Sequence, residues 1–391
     1  MSTISLRQTA AANGTVAAAA AHRPADGQDE LRTALFSSLR RRDQREKGEL
    51  YLRGLLTARG RKSVRNMATC LGVPDEEQGL HHFIASSTWD FAAMRAALAG
   101  FVEAAAPPRA VVLQSMPILK AGDNTVGVDR WFEPRLGQTV HGQQAFGAWY
   151  VSEHMSAPVN WRLFLPAAWL RDENRRTRAD IPVSAAVQSL QDCAAETVLE
   201  PVRRWGAQPR PVLADLRDTR DWGVMDRLSA AGLPVLARIS ADTRLTIADP
   251  ALVGLGAAER TAAGILESAK ALRQQVEWAD PGGDPRPNTS LAAAVRVRVP
   301  GSSPSRGRTL LLLGEWKSPH RTPSQVWITD LVRVRTSALL RLTKLTRRVA
   351  RDFARTGDQV GLRDFVGRSF VGWHRHMTLA SAAYTASRLP H

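Results

Sequence analysis

The spacing of apolar residues changes at Ala110, and no all-α or all-β fold accommodates both sides of that change. Before it, the spacing is helical. Leu31, Leu35, Phe36 and Leu39 fall on one helical face, and Leu50, Leu52, Leu55 and Leu56 repeat the pattern. Residues 63–74 read as a capped helix stopped by Gly72, and residues 75–84 as a second helix. Ala68 and Gly72, four apart just ahead of it, fit either a helix-turn-helix or an ordinary helical hairpin. After Ala110 come short runs with β-branched content: residues 110–113, 125–132 and 145–151, separated by turn residues around Gly122, Gly137 and Gly142. A helix over 184–205 follows, with Val187, Leu190, Ala194, Val198 and Val202 on one face. Then come a strand at 211–214, a helix at 221–231 and a strand at 234–239.

The order β-β-β-α-β-α-β predicts a mixed sheet flanked by helices. Residues 241–308 break it with Pro/Gly/Ser-rich loops around an alternating strand, 294–299, and a second strand, 309–316, follows. This reads as a β-rich insertion of about 241–325, not an independent domain. Residues 331–358 are again helical. The expected organisation is a disordered tail over 1–30, a helical DNA-binding domain over 31–108, and a core over 109–391 ending in basic helices at 331–391. The tail has an alanine run but no h-region, so it is not read as a signal peptide.

Charge narrows the partners. The chain has 53 Lys+Arg against 37 Asp+Glu, a net +16, which favours polyanions. Residues 331–391 hold twelve Lys/Arg and three Asp, so that segment alone supplies +9 of the surplus. A second concentration runs from Arg40 to Arg65, where ten Lys/Arg face only Asp43, Glu46 and Glu49. Arg40, Arg41, Arg42, Arg45, Arg61, Lys62 and Arg65 are the candidate DNA contacts there. Arg347, Arg348, Arg351 and Arg355 form a second candidate stripe, at i, i+1, i+4 and i+8 of one helix. With 44% apolar residues the chain can build a core, which excludes wholesale disorder. No apolar run reaches the roughly 18 residues of a membrane span. Cys70 and Cys193 are too far apart in sequence for a CxxC metal motif and fit a reduced cytoplasmic setting. Eleven tryptophans beside three tyrosines read as aromatic core packing.

Several blocks, in order, carry a resemblance. They are Tyr51-Leu52-Arg53-Gly54-Leu55-Leu56 with Arg61-Lys62-Ser63; Gln78 leading to Ser87-Thr88-Trp89-Asp90; and Lys120-Ala121-Gly122 with Thr125-Val126-Gly127-Val128. Further on stand Trp161-Arg162-Leu163-Phe164-Leu165-Pro166 with Trp169, the 211–215 strand, Gly367-Arg368-Ser369-Phe370, and Gly372-Trp373-His374-Arg375-His376. Together they resemble the DDE transposases of bacterial insertion sequences, over about residues 40–384. The resemblance implies an α/β fold: a ribonuclease H-like mixed-sheet core with a β-rich insertion, preceded by an α-helical N-terminal domain. It also implies double-stranded DNA as partner and a cytoplasmic, nucleoid-associated setting with no membrane role; a homodimer is left open.

Enzymes of that family use three carboxylates to hold two divalent metals about 4 Å apart, and Mg²⁺ demands such hard oxygen donors. Carried over position by position, the first acid falls on Gln114, the second on Asp215 and the third on Ala350. The Glu expected before Gly-Arg-Ser is Val366. Only Asp215 remains as a metal ligand. The resemblance therefore implies a transposase-family DNA-binding protein unable to cleave and transfer strands, with no cofactor; Mg²⁺ would serve only a working site. The alternatives are an active enzyme recruiting other acids such as Asp218 and Asp221, and a regulatory or protein-interaction scaffold. Asp352, about 200° round a helix from Ala350, should point away from the site. His374, His376, His81 and His82 read as structural or phosphate-contacting residues.

Overall fold

In the computed structural model, residues 24–389 are described, except 135, 220, 256–257 and 301–306. Five helices come first: α1 (Pro24–Phe36), α2 (Arg42–Thr57), α3 (Val64–Cys70), α4 (Glu77–Ala85) and α5 (Phe91–Ala105). α1 begins inside the stretch read as a tail. Leu31, Leu35 and Phe36 are buried and dock it on α5, so the helix extends back through polar residues to Pro24, while residues 1–23 lie outside the described set. Ser63 caps α3, accepting the Asn66 N–H at 3.2 Å. Gly54 lets α2 and α3 approach closely: a Cβ there would stand 2.8 Å from the Met67 Cβ.

The sheet begins with β1 (Ala110–Leu119), β2 (Asp129–Glu133), β3 (Gln138–Val151) and β4 (Ser156–Leu163). Helices α6 (Ala167–Arg171), α7 (Glu173–Arg178) and α8 (Leu190–Trp205) lead to β5 (Val212–Asp215), α9 (Gly223–Ala230) and β6 (Val235–Arg238). β3 pairs antiparallel with β1 and β4, while β5 runs parallel to both β1 and β6. That is the mixed sheet expected of a ribonuclease H-like core. The helix expected from residue 184 starts only at Leu190. A reciprocal capping box fixes that start: Ser189 Oγ accepts the Asp192 N–H, and Asp192 accepts the Ser189 N–H.

The insertion comprises β7 (Arg244–Ile247), β8 (Arg260–Thr261), α10 (Ala262–Ser268), β9 (Gln274–Trp278), β10 (Asn288–Arg298), β11 (Leu310–Trp316) and β12 (Gln325–Thr329). β12 pairs antiparallel with β6, so the insertion prolongs the core sheet. On β10 and just beyond it, Val295, Val297 and Val299 are buried while Arg296 and Arg298 face solvent, as the alternation requires. α11 (Thr336–Asp352) and α12 (Phe370–Ala386) close the chain.

α12 is not the basic helix expected of this segment. Every residue from Gly372 to Ala386 is buried, because the helix lies between β4 and the helices α2, α4 and α5. Trp149, Trp161, Trp316, Trp327 and Trp373 are all fully buried, so the tryptophans are largely core. Among the described residues no helix is long and apolar enough to cross a membrane.

His376 ties α12 to the N-terminal helices. Its Nδ1 accepts from the Tyr51 hydroxyl at 2.9 Å, and its Nε2–H donates to the Gly361 carbonyl at 2.8 Å. Burial pushes the ring down to about 4, and burial followed by Arg95 and Arg162 holds His374 well below its usual range. In the unfolded chain both rings would take a proton below about pH 6.5. Stability is therefore complete above that pH and is lost as pH falls through the window toward 4, by up to about 1.4 kcal/mol per pH unit for each ring. Urea midpoints should drop between about pH 7.5 and about pH 5. Level midpoints would show that the folded rings protonate as readily as unfolded ones.

Candidate active cleft

Parallel pairing sets Leu113 beside Ala214, so the next residues, Gln114 and Asp215, stand together where β1 and β5 open toward solvent. Crevices at such strand ends are the usual ligand sites of α/β sheets. α11 packs against β1 and brings Thr346, Arg347 and Ala350 to the same place. All three positions expected from the resemblance thus border one cleft of about 580 Å³, although they lie more than 230 residues apart at the extremes. Trp131, Phe132 and Glu133 of β2 form another part of its wall.

The electrostatics differ from those of a metal centre. Arg217 grips Asp215 bidentately, donating from Nε at 2.9 Å and Nη2 at 2.8 Å, and its own N–H donates at 3.3 Å. That hydrogen bond holds the Arg217 guanidinium above its usual range. Gln114 turns its amide N–H toward the Ser115 carbonyl at 2.9 Å. Arg238 and Arg347 also line the cleft.

Two further acids, Glu133 and Asp218, border it. Asp218 is a candidate from its place after β5; Glu133 has no signal in the sequence, since β2 reaches the cleft only through its pairing with β3. Asp221 instead accepts the Gly223 N–H at 2.8 Å, just ahead of the following helix. Asp352 points away, as expected, into a buried cluster with Ser156, Arg348 and Arg388. Among the described residues no three Asp, Glu, His or Cys side chains converge closely enough to hold a metal ion. The residues present therefore do not fit the two-metal group that the family implies.

The candidate DNA contacts divide by burial. Arg40, Arg41, Arg42, Arg45, Arg61, Arg65 and Arg355 are exposed. Arg41 pairs with Asp43 and Arg42 with Glu46, whereas no ion pair among the described residues engages Arg40, Arg61 or Arg65. Lys62 is not a surface cation: it is buried, its ammonium donates to the Ala58 carbonyl and its N–H to Asp364. The basic stripe on α11 is likewise turned largely inward. Arg348 is buried against Asp352 and the carbonyls of Glu153 and His154. Arg351 pairs with Asp280 at 2.6 Å, and Arg347 lies over the Trp278 ring at 4.7 Å. Helical spacing places these arginines on adjacent faces, and the β insertion covers much of what they would have presented.

A comparison with curated proteins gives no match. Over residues 34–298 the sequence matches the family described as DDE superfamily endonuclease. The matched span runs from the end of α1 to the end of β10, includes the Gln114 and Asp215 positions, and ends before α11 and Ala350. It covers about two thirds of the sequence, and the chain belongs to the DDE superfamily endonuclease family.

Proposed function

We propose that this protein binds duplex DNA, in the cytoplasm at the nucleoid, and does not carry out metal-dependent strand cleavage or transfer. The observation that carries this reading is the cleft. Gln114 and Ala350 stand where acids are required, and the remaining Asp215 is held by Arg217. DNA binding is supported by family membership, the net +16 charge and the exposed arginines of the first helices.

With about four phosphates neutralised, duplex affinity should fall roughly 100-fold between 50 and 200 mM salt. The Arg40→Ala/Arg61→Ala/Arg65→Ala variant should lower the log–log salt slope by up to about one for each phosphate it no longer neutralises. Affinity that is negligible at low salt, or indifferent to salt, would favour a protein-interaction scaffold instead. In the same samples, Mg²⁺ or Mn²⁺ with DNA ending in inverted repeats should yield no nicking. The reading of an active enzyme draws on Glu133 and Asp218 at the cleft edge, and Asp215-dependent nicking would establish it.

A further inference from the structure

A second cavity, of about 650 Å³, lies between α5, the end of β4, α8, the start of α12 and the segment 182–188. It shares no lining residue with the cleft. α8 separates the two, with Leu190, Gln191 and Ala194 facing the cleft and Glu196, Glu200, Arg203 and Arg204 facing the cavity.

Its floor is aromatic. Phe91 stacks nearly parallel on His374, with ring centres 4.8 Å apart, and Phe370 meets the same imidazole edge-on at 4.5 Å. Both phenyl rings are only half-buried. His374 is 95% buried, and its Nδ1 accepts from Arg95 at 3.1 Å, which places the ring proton on Nε2. No described residue accepts from that Nε2–H, and His374 is one of the residues lining the cavity.

The walls are cationic. Arg95, 2% exposed, spends its donors on Thr378, Asn160, the Trp161 carbonyl and His374, and no carboxylate among the described residues pairs with it. Arg162 and Arg204 share Glu200, at 3.2 and 3.8 Å, and Arg203 reaches Glu196 at 3.0 Å. Four guanidinium groups thus stand against two carboxylates around an aromatic floor.

We propose that this cavity is a nucleotide-binding site, with the base on Phe91 and Phe370 and the phosphate among Arg162, Arg203 and Arg204. Phenyl faces stack on any base. Guanidinium forks suit phosphate oxygens. The His374 Nε2–H supplies a donor to a ring nitrogen or carbonyl at the base edge. The nucleotide is either free or an unpaired residue of a DNA strand, since both present the same base and phosphate. The proposal does not rest on duplex binding by the N-terminal arginines.

Calorimetry on the full chain tests it with four probes: deoxyadenosine monophosphate, deoxyadenosine, inorganic phosphate and a short single-stranded oligonucleotide. The mononucleotide should bind at least about tenfold more tightly than the nucleoside or phosphate, because each carries half of the recognition. Arg203→Ala/Arg204→Ala changes exposed side chains and should leave the fold intact while weakening the mononucleotide about tenfold. Phe370→Leu should remove the preference for nucleotide over phosphate. Variant-sensitive binding of the oligonucleotide alone would identify the source as a DNA strand. The proposal is overturned if neither nucleotide probe binds, if phosphate binds as well as the mononucleotide, or if both variants bind like the parent. Because the arginine variant of the first helices reports separately on duplex affinity, failure of one reading leaves the other measurable.

Discussion

Asp352→Ala is expected to lower the unfolding free energy by about 3–5 kcal/mol, the usual cost of stranding a buried charge. Asp352 is 2% exposed. Its Oδ2 accepts from Ser156 Oγ at 2.8 Å and Arg348 Nε at 2.6 Å, and its Oδ1 accepts from Arg388 at 3.0 Å. One carboxylate therefore joins the end of α11 to β4 and to the segment after α12. In the alanine variant, Arg348 keeps the carbonyls of Glu153 and His154, so its position survives but its charge loses its counter-ion. Asp352→Asn should cost less, since an amide oxygen still accepts one donor. Arg348→Met/Asp352→Leu should recover part of the loss, because it removes two of the three charges and leaves only the partly exposed Arg388 without its counter-ion. Denaturant midpoints across the three variants decide it. A loss under about 1 kcal/mol for Asp352→Ala would mean a solvated carboxylate, and would reopen Asp352 as a substitute acid two residues beyond Ala350.

The same residue shows where sequence reading stops. Helical geometry alone turns Asp352 away from the cleft, and the period change at Ala110 separates the first five helices from the sheet. The valine–arginine alternation on β10 was also legible, and Gln114, Asp215 and Ala350, brought together only through the resemblance, line one cleft. Burial of individual cations was not. Lys62 and Arg61 look alike in sequence, yet Lys62 is buried, its N–H held by Asp364 some three hundred residues on, while Arg61 stays in solvent. Arg347 and Arg348 part in the same way, since only Arg348 meets the β3–β4 turn. β4 gave no periodic signal because almost every side chain on it is buried on both faces. The grip of Arg217 on Asp215 depends on a loop conformation, and the second cavity gathers residues from five segments. His374 and His376, two residues apart, differ only in what meets each ring.

Rebuilding the acidic triad carries the second large expected effect. Gln114→Asp/Ala350→Glu would place two new carboxylates around the cleft that Asp215 already borders. Without metal, repulsion between the added acids and Asp215 is offset in part by Arg238 and Arg347, which line the same cleft. Divalent ions should then stabilise it, by about 2.7 kcal/mol when present at a hundredfold excess over the dissociation constant. For a chain of this size that is a rise in Tm of roughly 3 °C. Arg217 works against this, since its bidentate bond occupies the Asp215 oxygens a metal would need. The two-residue variant should therefore respond weakly to Mn²⁺, and adding Arg217→Ala should release the full shift. The parent protein, with no three-ligand cluster among its described residues, should show none. A three-residue variant that folds yet ignores Mn²⁺ would mean that the positions do not converge closely enough to share an ion. A full response only after Arg217→Ala would show that the site is closed twice, by missing acids and by the arginine holding the one that remains.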